Sequence, residues 1–468
     1  MAPGRYLYAG LATIINIVLN ALTGGHFLWL EGRVRRDVFY NWLHRYRYRP
    51  PHFARPQTEA ELVALVRNAS GGIRVFGSGH SFNSGVVADE TLISLDRYSG
   101  VLWKDRKKKQ IAFRAGTRIR DVNRALLEEG WAFAALPSHD AQSIGGIIST
   151  DVHGTGRDWG FVSEAVAAIK LLDGRGELIE CLPEDDLYKA AIGGVGAVGI
   201  IVEVVVQAVD AFRVQQATEI WARKDVEANL DRLLEENEHF SLYIFPFGDL
   251  CQINTWNRTL ARRSPLGSAR EFINYSVDAI LSAWVADALA HLRILPRLSN
   301  AMLRVIRNTN LVLESGEAFN RTVYYPHHEL EFTVPYEATI PTLNLFLALY
   351  EEHYARHMPF FAIEVRFTPG GHDRTLIGAG KEQRSAWLNL LCNDSGLHET
   401  FLKLAEQEVK AIGGRPHLGK YCETVDRAYM EAVHGEAFSR FRELVHKHDP
   451  QGKFVNDFTR RLFEPGAA

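Results

Sequence analysis

Cysteine is scarce in this chain. Its 468 residues hold four, Cys181, Cys251, Cys392 and Cys422, widely spaced and without a C-x-x-C pair. That spacing speaks against a zinc site or a disulfide framework and reads as four buried thiols. Basic excess is missing as well. Lys and Arg number 53 against 56 Asp and Glu, for a net charge of −3. A general nucleic-acid binder is disfavoured, because few cations are left over to neutralise phosphates. The glycine-rich loop at Gly77–Gly79 is neither a Walker loop nor G-x-G-x-x-G, and the chain shows no internal repeat and no low-complexity segment. Its length allows about two or three domains.

Charge is absent from Tyr6 to Leu22, "YLYAGLATIINIVLNAL", and, His26 aside, on to Leu30. Such a stretch can cross a hydrocarbon core of about 30 Å. Thr13, Asn16, Asn20 and Thr23 recur at helical spacing as one polar stripe, and Gly24 and Gly25 then interrupt it. The pattern predicts a hydrophobic N-terminal helix within residues 1–36 that lies in a membrane interface or spans the membrane. A cleaved signal and a helix packed in a soluble core are the alternatives. Arg33, Arg35, Arg36, Arg45, Arg47 and Arg49 follow the stretch, against Arg5 before it. The positive-inside tendency then puts the bulk of the protein in the cytoplasm.

Beyond the prolines of "RPPHFARPQ", Thr58 reads as a helix N-cap with Glu61 three residues on, followed by Leu62, Val63, Leu65 and Val66. "IRVFG" reads as a short strand running into glycine. "TLISLDRYSGV" and "QIAFRAGTRIRDVNRALLEEG" read as strand, strand, helix. "AVAAIKLLDGRGELIECL" reads as a hairpin turning at Asp173-Gly174, and "VGIIVEVVVQAV" as a buried strand. From about Phe212 aromatic strands such as "HFSLYIFPF" and "ELEFTVPY" are interleaved with helices, which marks a domain boundary. Ser268 to Asn308 is helical and apolar, with Arg270, Arg293, Arg297, Arg304 and Arg307. It reads as buried cap helices or as a second membrane-contact surface.

Three glycine clusters carry the chemistry. In "VFGSGHSFNSG", Gly77 and Gly79 permit the left-handed backbone and close approach with which successive N–H groups cradle an anion. "PSHDAQSIGGIISTDVHGTG" and "GGVGAVGIIVEV" add two more. Three such segments in a mixed region suit a long diphosphate cofactor threaded along the backbone.

The segments "RVFGSGHSFN", "QSIGGIISTDVHGTG", "FAIEVRF", "GGRPHLGK" and "DPQGKFVNDF", in this order and at these spacings, resemble the aldonolactone/alditol oxidase branch of the vanillyl-alcohol-oxidase-type flavoproteins. That branch includes gulonolactone and arabinonolactone oxidases. The resemblance covers roughly residues 48 to 468. It implies an α+β fold in which a two-subdomain FAD-binding domain (37–211) is joined to an α+β substrate, or cap, domain (212–414). Residues 415–468 would return to the FAD domain and active site. It also implies FAD, with the pyrophosphate on the loop Gly77, Ser78, Gly79, His80, Ser81, Phe82 and Asn83, and a covalent bond from His80 to the flavin 8α-methyl group. Neutral imidazole is a competent nucleophile near pH 7. By the same matching, Ser143 and Gly146 lie near the flavin ring. His153, Gly154, Thr155 and Gly156 lie along the cofactor, Gly199 and Ile201 lie near the adenine half, and His417 also contributes.

"EVR" puts Glu364 and Arg366 on one face of a strand, because side chains alternate with period two. "RPHLGK" supplies Lys420. Oxidising a hydroxyl by hydride transfer to flavin N5 needs a group that accepts from the O–H, positive charge near the developing oxyanion, and a dry pocket. Glu364 suits the first role, Arg366 and Lys420 the second. No metal is called for. The expected function is membrane-associated, FAD-dependent oxidation of a sugar lactone or polyol, with electrons passed to O2 or another acceptor. A lipid-linked sugar or lipid alcohol is the alternative substrate, and a non-catalytic flavin-binding scaffold is the alternative of another class. Two departures from the family pattern stand out. Leu418 replaces a common aromatic residue, and Asp151-Val152 replaces Gly-Thr, which puts a carboxylate beside the expected cofactor path.

Overall fold

The computed structural model describes residues 32–43, 45–274, 300–301, 303–304, 306, 308–320, 327–357, 360–380, 383–392 and 398–464, together with Ile14 and Val18. Apart from Ile14 and Val18, the uncharged N-terminal stretch lies outside the described residues, as does most of 268–308. Among the described residues no helix is long and apolar enough to cross a membrane. The four cysteines are buried and unpaired, as their spacing suggests.

The chain opens with a small antiparallel sheet, β1 (Arg33–Arg35), β2 (Val38–Tyr40) and β3 (Arg47–Tyr48). β4 (His52–Ala54), β5 (Ile73–Phe76) and β6 (Thr91–Ser94) then form a parallel sheet in the order β4-β6-β5. The helix Glu59–Asn68 makes the crossover. Thr58 Oγ1 accepts from Glu61 N–H at its start, and Leu62 and Val66 are its buried face. The Glu61 carboxylate accepts from Gln57 N–H, one residue before the cap.

A second, antiparallel sheet runs β11-β10-β12-β8-β7. Its strands are β7 (Val101–Asp105), β8 (Gln110–Arg114), β10 (Val166–Leu172), β11 (Leu178–Cys181) and β12 (Ile200–Gln207). The short pair β9 (Trp131–Ala132) and β13 (Val209–Asp210) stands beside it. The expected hairpin is β10–β11, but the left-handed residue of its turn is Gly176 (φ +78°) rather than Gly174. Gly174 instead makes room for Asp449: a Cβ there would lie 2.5 Å from the Asp449 carboxylate.

The third sheet begins at Arg213, one residue after the expected boundary. It comprises β14 (Arg213–Ala222), β15 (His239–Ile244), β16 (Leu250–Thr259), β17 (Thr309–Glu314), β18 (His328–Pro335), β19 (Phe360–Thr368), β20 (Ser385–Cys392) and β21 (Arg415–Pro416). They lie antiparallel in the order β17-β14-β16-β15-β19-β20-β18-β21. Strand alternation gives this sheet two unlike faces. Leu330, Phe332, Ile363, Val365, Leu388 and Leu390 join Phe346, Tyr350, Phe401 and Leu402 of the helices Thr339–His357 and His398–Ala411 in the core. Glu329, Glu331, Glu364, Arg366, Trp387 and Asn389 occupy the alternate positions. The last helices, Arg427–His434, Glu436–His448 and Asp457–Phe463, return the chain to the first half. Arg74, fully buried, clasps that return by donating to the carbonyls of Gly85, Phe454 and Val195.

Candidate active site

A cleft runs between the first half and the polar face of the third sheet. One wall is the loop after β5, Gly77 to Asn83, with Ser143, Gly146, Gly199 and Ile201. The opposite wall carries Glu329, Glu331, Glu364, Arg366 and Asn389, with His153, His417 and Lys420 alongside.

The first wall is built by close approach. A Cβ on Gly77 would lie 1.8 Å from Ser143 Oγ, and one on Gly79 (φ +64°) 2.6 Å from Gly32 Cα. Ser143 Oγ caps the short helix Ile144–Ser149 by accepting from Gly146 N–H. Ser78 Oγ donates to Ala141 O and accepts from Arg118. Asn83 Nδ2 donates to the carbonyls of Leu418 and Lys420, and Phe82 N–H to Gly419 O, so the loop is tied to "HLGK". Burial, with Arg118, Arg120 and Lys420 adding, pulls the His80 imidazole down to about 3. The ring is thus neutral at physiological pH, and its Nε2 is buried without a hydrogen-bond partner.

Register assembles the second wall. Glu331, Asn389, Glu364 and Tyr243 are cross-strand neighbours on β18, β20, β19 and β15. Tyr243 Oη donates to Glu364 at 2.6 Å. Arg366 Nη2 donates to Glu331 Oε1 at 2.5 Å, and its Nε lies 3.7 Å from Glu364 Oε2. His153 stacks on Trp387 (centroids 3.6 Å), and its Nε2 lies 3.2 Å from Glu331 Oε1. Burial holds His153 down to about 3. Glu331 is pushed well below the usual carboxylate range although burial opposes this, because Arg366 and His153 outweigh it. Burial pulls Lys420 down to about 7. The Glu329 carboxylate in contact with its Nζ works the other way and favours the ammonium. His153, Glu331 and His417 each bring a ligand atom within 4.8 Å of the others. The Arg366 guanidinium already supplies positive charge to that cluster.

The fit to FAD rests on these features. The cleft has a glycine-walled loop beside a capped helix start, and a bare edge at Gly146, where a Cβ would meet only Ser143 Oγ. It also holds buried polar atoms without partners, His80 Nε2 and Asn389 Oδ1, which await a ligand.

Three expected cofactor residues fall elsewhere. Gly154 packs against the loops at Leu136 and Gly160, and Thr155 and Gly156 turn to the third sheet, rather than along the cleft. Gly154 N–H donates to Gly160 O, Thr155 Oγ1 accepts from Phe367 N–H, and Gly156 N–H donates to Phe367 O. Their small size serves close packing: a Cβ on Gly156 would lie 2.1 Å from Trp159 O. Asp151 is also resolved. Its backbone is left-handed (φ +49°), which aims the carboxylate at Ser163 Oγ (2.7 Å) and His372 Nε2 (3.1 Å), inside a packed cluster. The pattern reading missed Trp42, Tyr243, Glu329, Glu331 and Asn389. For the two glutamates the signal was present, since "HELEF" sets acids at i and i+2 of a strand.

The D-arabinono-1,4-lactone oxidase family model matches residues 204–462, and an FAD binding domain model matches residues 50–182. The chain belongs to the D-arabinono-1,4-lactone oxidase family. As a member of this family it is an FAD-dependent oxidoreductase of the class acting on CH–OH groups. Mouse L-gulonolactone oxidase is 27% identical over 91% of this chain and 98% of its own length. L-gulono-1,4-lactone dehydrogenase of Mycobacterium tuberculosis (strain H37Rv) is 25% identical over 92% and 99%. D-arabinono-1,4-lactone oxidase of Eremothecium gossypii is 32% identical, over 47% and 43%. Among solved structures, cholesterol oxidase from B. sterolicum superposes with a TM-score of 0.74 at 16% identity, covering 92% of this chain and 97% of that one. This last likeness shows the fold alone, a mixed α/β molecule; the FAD-binding domain rests on the family model.

Proposed function

We propose that this family member oxidises a carbinol of a sugar lactone or polyol and holds its flavin covalently through His80. The carrying observation is that Glu364, Arg366, Asn389 and Lys420 share one cleft with the loop Gly77–Asn83. FAD, when bound, supplies the hydride acceptor at N5. The chain does the rest. Glu364, oriented by Tyr243, accepts from the substrate hydroxyl. Arg366, fixed by Glu331, and Lys420 place positive charge where the oxyanion develops. Burial keeps water from the reacting atoms. The lactone dehydrogenase and oxidases among the relatives support the substrate class and leave both O2 and another acceptor as outlets. Membrane association and a cytoplasmic catalytic domain belong to the proposal too, resting on the uncharged stretch 6–30 and the arginines after it.

The test is to precipitate the purified protein with acid and to screen lactones and polyols with peroxide and dye readouts. Yellow colour staying with the pellet, and turnover lost in Glu364→Gln and Arg366→Ala with flavin retained, are expected. Free flavin release from wild type sinks the tether. Turnover undiminished in both variants sinks the site.

A further inference from the structure

The small sheet β1–β2–β3 lies across the His80 loop. Gly32 N–H donates to Ser78 O (2.6 Å), Trp42 N–H to Gly79 O (3.1 Å), Asn41 Nδ2 to Ser81 O (3.3 Å) and Arg45 Nη1 to Phe82 O (3.4 Å). Four carbonyls of the loop are thereby held from one side. Gly32 and Gly79 pack so closely that a Cβ on either would lie 2.6 Å from the other's Cα. The clamp is itself braced. Tyr46 N–H donates to Asn41 Oδ1, and Arg45 and Tyr46 Oη both reach Glu423, beyond "HLGK". At its tip the Trp42 indole stacks on the His80 imidazole (centroids 5.4 Å, 27°) and meets Phe82 edge-on at 5.3 Å.

We propose that Trp42 is the positioning residue for flavin attachment. Its indole fixes the His80 ring plane while the small sheet fixes the backbone beneath. The proposal rests on the reading of His80 as the tether. In that step a ring nitrogen of His80 bonds to the flavin 8α carbon, while one C–H bond of that methyl group and the imidazole N–H break. The two protons and the electron pair pass to the flavin ring, and dioxygen or another two-electron acceptor then reoxidises it. A neutral imidazole held in one plane is poised for this, whereas a rotating one spends most of its time misaligned.

The experiment loads full-length apoprotein with FAD and follows, over time, the fraction of flavin that acid no longer releases. Trp42→Leu, which fills the space without a ring, should attach flavin at least about tenfold more slowly than wild type. Trp42→Phe should restore most of the rate, with melting temperatures of the two variants alike. If wild type itself releases all flavin, the tether reading fails. If wild type attaches flavin and Trp42→Leu does so at the same rate, the positioning role is overturned and the tether stands. Equal slowing in Leu and Phe variants also overturns it, since a ring would then be irrelevant.

Discussion

Arg366 and Glu331 meet across an intervening strand, guanidinium Nη2 2.5 Å from carboxylate Oε1, with both side chains buried. Each needs the other, because a buried charge left alone is expensive. Glu331→Gln keeps the volume and removes the countercharge. With Glu364 still 3.7 Å from Arg366, it should cost less than the about 3–5 kcal/mol of a buried charge left wholly unpaired, read as a lowered melting temperature, and should depress turnover through a misplaced Arg366. A melting temperature equal to wild type would show that Glu331 carries no such burden.

Two adjacent glycines should separate folding from cofactor binding. A Cβ on Gly145 would lie 2.7 Å from the Ala115 Cβ, inside the core, whereas one on Gly146 would meet only Ser143 Oγ at 2.9 Å. Gly145→Ala should destabilise the apoprotein by about 1–3 kcal/mol. Gly146→Ala should melt near wild type as apoprotein and bind FAD more weakly. Thermal melts of apoprotein and flavin titration check both.

Lys420 should set the alkaline limb of the activity profile. Burial draws its ammonium down to about 7, so the charge is lost as pH rises, and contact with Glu329 holds that loss to higher pH. Glu329→Gln should shift the limb toward neutrality by about 1–3 pH units. Lys420→Arg, always protonated, should abolish it. An alkaline limb unmoved in both variants would assign it to another group.

Acid should weaken the fold through its buried imidazoles. His153 and His328 are held down to about 3 and about 2, mainly by burial. Below the unfolded value near 6.5 the unfolded chain takes up protons that the fold refuses. Stability is therefore present above about pH 6.5 and is lost as pH falls toward the folded values. Between pH 7.5 and 5.0 each histidine should cost roughly 2 kcal/mol. Denaturant midpoints at the two pH values measure the loss, and His328→Gln should flatten it.

Asp151 should matter for packing and not for flavin. Asp151→Ala should cost about 1–3 kcal/mol, as Ser163 and His372 lose their buried acceptor. Asp151→Asn, which tolerates the left-handed backbone, should cost less. Flavin content should match wild type in both. A flavin deficit in Asp151→Asn would place the side chain on the cofactor path after all.

What the chain alone determined is local. Glycines 77 and 79, the Thr58 cap, the alternation that sets Glu364 beside Arg366 and the five ordered segments are each short contiguous patterns, legible because their physics is settled within a few residues. Gly154 to Gly156 misled for the same reason: small residues near a cofactor segment look alike whether they admit a ligand or a neighbouring strand. The tertiary structure decided the partnerships. Tyr243 reaches Glu364 across 121 residues, His153 reaches Glu331 across 178, and Trp42 finds His80 because the β2–β3 turn lies across the loop after β5. Nothing in a one-dimensional pattern encodes which strand lies beside which. The register of the third sheet and the left-handed turn at Asp151 therefore settled which charges face the cleft and which turn away.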